Sequence, residues 1–212
     1  MELVGKVGFP NGVDNLLQGQ GDVVGAGLVH HPDVAMIAFT GSRAVGLAIN
    51  AAAAKVSAEG SPFVKRVIAE MGGKNAIIID RDADLDEAVL GVNHSAFGFQ
   101  GQKCSACSRV IVLEDVYDQF VNRLIESARS LVVGPAKDPA TQVGPLIDRE
   151  AQQKAMEYIE IGKTEGECGL ETEVGELAEQ GCFVGPHIFT EILPHHRLAQ
   201  EEVFGPVLAV IR

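Results

Sequence analysis

Short apolar runs alternate with helix-period segments along this chain, and that alternation restricts the fold more than any other feature. Val34–Phe39, Val67–Glu70, Ala76–Ile79 and Arg109–Leu113 read as strands. Asp22–His30, the alanine-rich Arg43–Ala54 and Leu85–Phe97 read as the helices between them. Such interleaving predicts an α/β layered fold with parallel strands. The acids of Asp80–Asp84 suit the positive end of the helix that follows. Further on, Val116–Ala128 forms an amphipathic pattern, with Val116, Phe120, Leu124 and Ile125 near one face. Arg149–Lys163 reads as another helix, and strand candidates lie within Phe183–Ile192 and Val203–Ile211, around Gly185-Pro186 and Gly205-Pro206. There is no internal repeat or low-complexity linker. Gly72-Gly73 is the most permissive joint, and it divides the chain into 1–72 and 73–212.

Bulk composition excludes several classes. With 46% hydrophobic and 22% charged residues the chain is globular, and its 212 residues can bury a sizeable core. A net charge of -12 argues against a nucleic-acid-binding face. It does not argue against an anionic substrate, because a local pocket can oppose the global field. No apolar run reaches the roughly 18 residues of a membrane span, and the N-terminus lacks the pattern of a signal peptide. Four cysteines are too few and too irregular for a disulfide framework, so a reducing cytoplasm is expected. The apolar run Val207–Ile211 stops at Arg212, and the start falls in a Gly/Pro-containing connection. Both ends lead us to expect an internal piece of a longer protein.

The segment Phe99-Gln-Gly-Gln-Lys-Cys104-Ser-Ala-Cys107-Ser-Arg109 places a cysteine in small, polar, glycine-bearing surroundings between a helix and a strand. That setting suits a thiol in a turn with one face open. Upstream, Glu70-Met-Gly-Gly-Lys-Asn75 holds a carboxylate beside two glycines. A nucleophile and a possible base in such settings suggest covalent catalysis with an acid/base partner. Each motif also has a plainer reading. Glu70-Met-Gly-Gly is also a strand end and turn, and Cys104 and Cys107 also read as a buried structural thiol or a redox or metal CxxC pair. No further close cysteine pair or histidine spacing completes a zinc site. Phe39-Thr-Gly-Ser-Arg-Ala-Val-Gly46 puts Gly41 and Ser42 at a strand-to-helix handover, where N–H groups can hold a phosphate or a hydroxyl can simply cap the helix. Glu201-Glu-Val-Phe-Gly-Pro206 is either a strand entry with a rigid bend or a ligand contact, with Glu202 accepting from sugar hydroxyls and Phe204 packing on a planar ring.

Together and in this order, FTGSRAVG, EMGGKN, FGFQGQKCSACSR and EEVFGPV resemble the aldehyde dehydrogenase superfamily, over essentially the whole chain. The resemblance implies the later part of a Rossmann-like nucleotide-binding domain up to Gly72, then most of an α/β catalytic domain. It implies that Cys104 is the nucleophile and Glu70 the general base. It places Gly41 and Ser42 at the cofactor pyrophosphate, with Gly46 in the same glycine-bearing, cofactor-binding turn, Glu202 at the nicotinamide ribose and Phe204 in the nicotinamide region. It gives Cys107 no role beyond packing. The cofactor implied is NAD. NADP stays open, because the family's adenosine-ribose residues precede this chain, as does the asparagine that supplies its second oxyanion donor. GFQGQKCSACSR is most similar to the branch that oxidises L-glutamate γ-semialdehyde (pyrroline-5-carboxylate) in proline breakdown, where a serine after the nucleophile, here Ser105, binds the substrate carboxylate. Another small aldehyde such as succinate semialdehyde, or an inactive fragment, is the alternative. A small-molecule aldehyde substrate, no metal and a homo-oligomeric full-length parent complete the expectation.

Overall fold

The computed structural model describes residues 2–10, 12–58 and 62–212, and the chain folds as two compact units, Met1–Met71 and Gly72–Arg212. The division falls at the head of the Gly72-Gly73 pair.

The first unit contains α1 (Glu2–Lys6), a π-type turn at Gly21–Gly25 running into α2 (Ala26–His30), β1 (Met36–Thr40), α3 (Arg43–Ala58) and β2 (Arg66–Glu70). β1 and β2 pair in parallel from Met36↔Arg66 to Thr40↔Glu70, with α3 as the crossover. α3 runs past the expected Ala54 because Ala51–Ala54 and Lys55 are good helix formers with no breaker before Ala58. Lys65 is buried, and its ammonium donates to the carbonyls of Val29 (3.1 Å) and His31, tying the end of α2 to the start of β2.

The second unit begins with β3 (Asn75–Ile79) and α4 (Leu85–Phe97), then a tight turn at Gly98–Gly101, β4 (Cys107–Val112) and α5 (Tyr117–Arg129). It continues with α6 (Arg149–Glu165), β5 (Glu167–Glu171), α7 (Leu177–Gln180), β6 (His187–Thr190), α8 (Arg197–Gln200) and β7 (Val207–Ile211). The strands form one sheet in the order β3-β4-β7-β6-β5, parallel except where β5 runs against β6.

Helices cover both faces of this sheet. Val92, Phe97, Phe120 and Leu124 of α4 and α5 pack with Val110, Ile188, Leu208 and Val210 on one side. Ile159 of α6 and Leu198 of α8 pack with Phe189, Val207, Ala209 and Ile211 on the other. β7 therefore sends alternate residues into two cores, which is why its sequence is an unbroken apolar run. Gly162 lets α6 close onto the sheet, since a Cβ there would stand 2.6 Å from the Phe189 ring.

The α4 limits match those expected, because Asp84 caps it, accepting from the N–H groups of Asp86 (3.0 Å) and Glu87 (3.2 Å). Asp148 does the same for α6 through Ala151 N–H at 2.8 Å. β4 starts at Cys107, two residues before the expected Arg109, which takes Cys107 out of the turn and into the ladder. Among the described residues no helix is long and apolar enough to cross a membrane.

Candidate functional site

The sequence-predicted residues fall in both units. Gly41, Ser42, Gly46 and Glu70 lie in the first, and Cys104, Ser105, Glu202 and Phe204 in the second.

In the first unit the residues gather at the C-terminal ends of the two parallel strands, the edge where α/β sheets bind ligands. Thr40 and Glu70 are register partners, and Gly41 N–H donates to Glu70 O at 3.0 Å. Glu70 closes β2 and is exposed. Ser42 caps α3, its Oγ accepting from Val45 N–H at 3.3 Å. The N–H groups of Arg43 and Ala44 have no acceptor among the described residues, so the start of this 16-residue helix presents donors to an anion. Both glycines are also packing requirements. A Cβ on Gly41 would stand 2.4 Å from the Phe39 ring, and one on Gly46 2.7 Å from Met71 Sδ.

In the second unit Cys104 and Ser105 are the exposed central residues of a turn closed by Ala106 N–H donating to Lys103 O at 3.0 Å. Cys104 N–H donates to no protein group among the described residues, which leaves it open to a developing oxyanion beside the thiol. Cys107 is different: it is buried, its N–H donates to Ser95 Oγ at 3.1 Å, and its thiol donates to Arg109 O at 3.3 Å. Burial pushes that thiol up to about 11, so it stays protonated near neutral pH.

The chain entering the Cys104 turn is tightly held. Phe99 (φ 55°), Gln100 (φ 58°) and Gly101 (φ 68°) are consecutive left-handed residues, and two of them are not glycine. Gly101 lies against the Gly205 backbone, where a Cβ would stand 2.5 Å from Gly205 O. The Gln100 carboxamide oxygen accepts from Gly144 N–H at 2.8 Å, and Gln102 Oε1 accepts from Ile147 N–H at 3.0 Å. Across the turn, Asn75 Nδ2 donates to Cys104 O at 2.6 Å and to Ala106 O at 3.2 Å.

Gly205 brings the third motif alongside. A small cleft is lined by Gly73, Lys103, Glu202, Phe204 and Gly205, so the residue before the thiol shares a wall with both expected ligand contacts. The Glu202 carboxylate lies on Gly72, where a Cβ would fall 1.9 Å from Oε1, and no side chain is possible at that glycine without moving it. Phe204 holds a left-handed backbone (φ 61°) and an exposed ring. Glu201, next to Glu202, anchors the loop. Tyr158 Oη donates to Glu201 Oε2 at 2.6 Å, and the Arg197 guanidinium donates to both carboxylate oxygens at 2.8–3.2 Å. Those bonds, Arg197 first, hold the Glu201 carboxyl down at about 2. Next in sequence to Gly73 of the cleft wall, Lys74 Nζ is buried without a hydrogen-bond partner. Burial first, then the like charge of Arg109, lower it to about 8 against the opposing pull of Glu202. Among the described residues no group of histidine, cysteine and carboxylate side chains could hold a metal.

Sequence reasoning singled out the thiol and the Glu202–Phe204 loop. It gave no role to Asn75, Gln100, Gln102 or Lys74, whose partners are distant in sequence and leave no local pattern.

The chain belongs to the aldehyde dehydrogenase family, which it matches over residues 1–212. It is 50% identical over 208 residues to the 1-pyrroline-5-carboxylate dehydrogenase of Geobacillus thermodenitrificans (strain NG80-2), covering 98% of this chain and 40% of that one. It is 46% identical over 212 residues to the protein of the same name from Bacillus subtilis (strain 168), covering 100% and 41%. Among solved structures, proline utilization A (PutA) from Bdellovibrio bacteriovorus, inactivated by N-propargylglycine, superposes with a TM-score of 0.94 at 50% identity, over 100% of this chain and 22% of that one. The 1-pyrroline-5-carboxylate dehydrogenase from Thermus with bound NAD superposes with a TM-score of 0.91 at 48% identity, over 100% and 40%. The chain thus spans about 40% of the length of the curated relatives it matches.

Proposed function

We propose that the whole protein carrying this chain oxidises L-glutamate γ-semialdehyde to glutamate, with NAD as cofactor. The observation that carries this reading is the Cys104 turn: an exposed thiol with an open backbone N–H beside it, in a chain about half identical to proteins named for that activity. NAD fits the residues present. The open N–H groups at the start of α3 suit a pyrophosphate, and the Glu202 carboxylate and exposed Phe204 ring suit a ribose and a planar ring.

The chemistry follows from residue type. Cys104 Sγ, as thiolate, bonds to the aldehyde carbon, and the oxygen that takes the electron pair faces the Cys104 N–H. NAD, when bound, supplies the acceptor for the hydride. Glu70, as general base, takes a proton from the water that hydrolyses the Cys104 thioester, releasing the acid and the thiol. Cysteine suits this role better than serine because its thiolate is accessible near neutral pH. The Ser105 hydroxyl donates to the substrate's α-carboxylate.

The test is NADH production from glutamate semialdehyde by the whole protein, with Cys104→Ala alongside. We expect the variant to lose oxidation by at least a thousandfold while still binding NAD, and Cys107→Ala to stay within a few-fold of the unmodified protein. Comparable turnover by Cys104→Ala would remove the assignment, and a preference for succinate semialdehyde would remove the substrate.

A further inference from the structure

Asn75 opens β3 at the point where that strand's register against β4 shifts, so its side chain is not committed to a regular ladder position. Its Nδ2 lies 2.6 Å from Cys104 O and 3.2 Å from Ala106 O. Both neighbours are carbonyl oxygens, which can only accept. That fixes the amide's orientation, and the two hydrogens of one nitrogen are used on two carbonyls of one turn. Asn75 O in turn accepts from Ser108 Oγ at 3.4 Å, so side chain and main chain both reach the segment around the thiol. Among the described residues no other side chain donates to Cys104 O.

The peptide following Cys104 is planar, so holding its carbonyl sets the backbone rotation at Cys104 and the direction of the Cα–Cβ bond. An exposed turn otherwise has several such settings. We propose that Asn75 is the positioning residue of the nucleophile: its carboxamide clamps the Lys103–Ala106 turn and thereby aims the Cys104 thiol and N–H. The proposal rests on Cys104 being the nucleophile.

Two substitutions in the whole protein separate this role from packing. Asn75→Asp keeps the shape but sets carboxylate oxygens against two carbonyls. Asn75→Ala removes the bonds without adding repulsion. Cys104 alkylation by iodoacetamide, followed by mass on the Cys104 peptide, needs neither aldehyde nor cofactor. We expect that rate to change at least fivefold in both variants, and kcat to fall about tenfold in Asn75→Ala and further in Asn75→Asp, each tenfold being about 1.4 kcal/mol of barrier. KM for NAD should stay within twofold. If Asn75→Asp keeps alkylation and kcat within twofold of the unmodified protein, or only Asn75→Ala is impaired, the clamp is refuted. Should neither variant melt cooperatively, Asn75→Ser, which keeps one donor in a smaller side chain, is judged by the same alkylation criterion. Absence of aldehyde oxidation in the unmodified protein would refute the proposed function, while the alkylation comparison would still judge Asn75.

Discussion

Gly101→Ala is the sharpest perturbation the second unit offers, because its cost has two separable parts. The residue sits at φ 68°, where a side-chain-bearing residue is strained by about 1–2 kcal/mol. The added methyl would also stand 2.5 Å from Gly205 O, 2.9 Å from Gly205 C and 3.0 Å from Ala96 O. All three atoms are main chain, so no rotamer change relieves the contact. Overpacking of this kind costs about 1–3 kcal/mol, and the two parts together come to about 2–5 kcal/mol. Gly175→Ala is the matched control: its φ is 52°, but a methyl there has nothing within 4 Å. Denaturant unfolding of the whole protein should show the control losing about 1 kcal/mol and Gly101→Ala losing clearly more. Because the displaced backbone joins the thiol turn to the Glu202–Phe204 loop, KM for NAD and kcat should both worsen in Gly101→Ala and neither in the control. Equal losses in the two variants would refute the steric half of the argument. A Gly101→Ala protein with normal kinetics would show that the contact does not position the site.

Other expectations are more direct. Glu70→Gln keeps the shape but cannot take a proton from water, so rapid mixing should give a burst of NADH followed by slow turnover; a normal steady state would exclude Glu70 as the base. Ser105→Ala should lower catalytic efficiency for glutamate semialdehyde about ten- to a hundredfold, the loss of a charge-assisted bond of roughly 1.5–3 kcal/mol, and spare a simple aliphatic aldehyde. Equal losses on both substrates would reduce Ser105 to a turn former. Lys74 carries a folded-state pKa of about 8 against an ordinary 10.5. The unfolded chain therefore binds the extra proton between those values, and stability gains about 3 kcal/mol as pH rises through that window. Lys74→Met should abolish that rise, and an unchanged pH slope in the variant would show that Lys74 is not its source.

How much of this was legible in the sequence depended on whether the cause was local. α4 could be read to the residue, because Asp84 and the apolar spacing after it are neighbours in the chain. β7 was legible as an apolar run because it is buried on both faces. β5 and α8 were missed. Glu167–Glu171 is a short edge strand with a single buried residue, and Arg197–Gln200 is one turn held by Glu165 accepting from Arg197 and Leu198 N–H at 2.9 Å. In the site, the glycines around Cys104 announced an open thiol. The left-handed Phe99 and Gln100 gave no warning, since neither is the residue that such a backbone favours. The clamp on the turn was equally silent, because Asn75, Gly144, Ile147 and Gly205 reach it only through the fold.

The place of β7 has a consequence for how the second unit comes into being. It lies at the middle of the sheet but follows its four partner strands in sequence, and it joins β4 by pairs such as Arg109↔Ala209, a hundred residues apart. Closing so long a loop costs chain entropy before any contact repays it, and parallel pairings of this range form slowly. Until β7 arrives, β4 and β6 have no neighbour on their facing edges and the unit is two separate halves, β3-β4 and β6-β5. Gly205, just ahead of β7, is the backbone against which Gly101 packs. During synthesis, then, the Cys104 thiol emerges about a hundred residues ahead of the strand that joins these halves, beside unpaired strand edges that invite aggregation, and its surroundings are assembled only once β7 has paired.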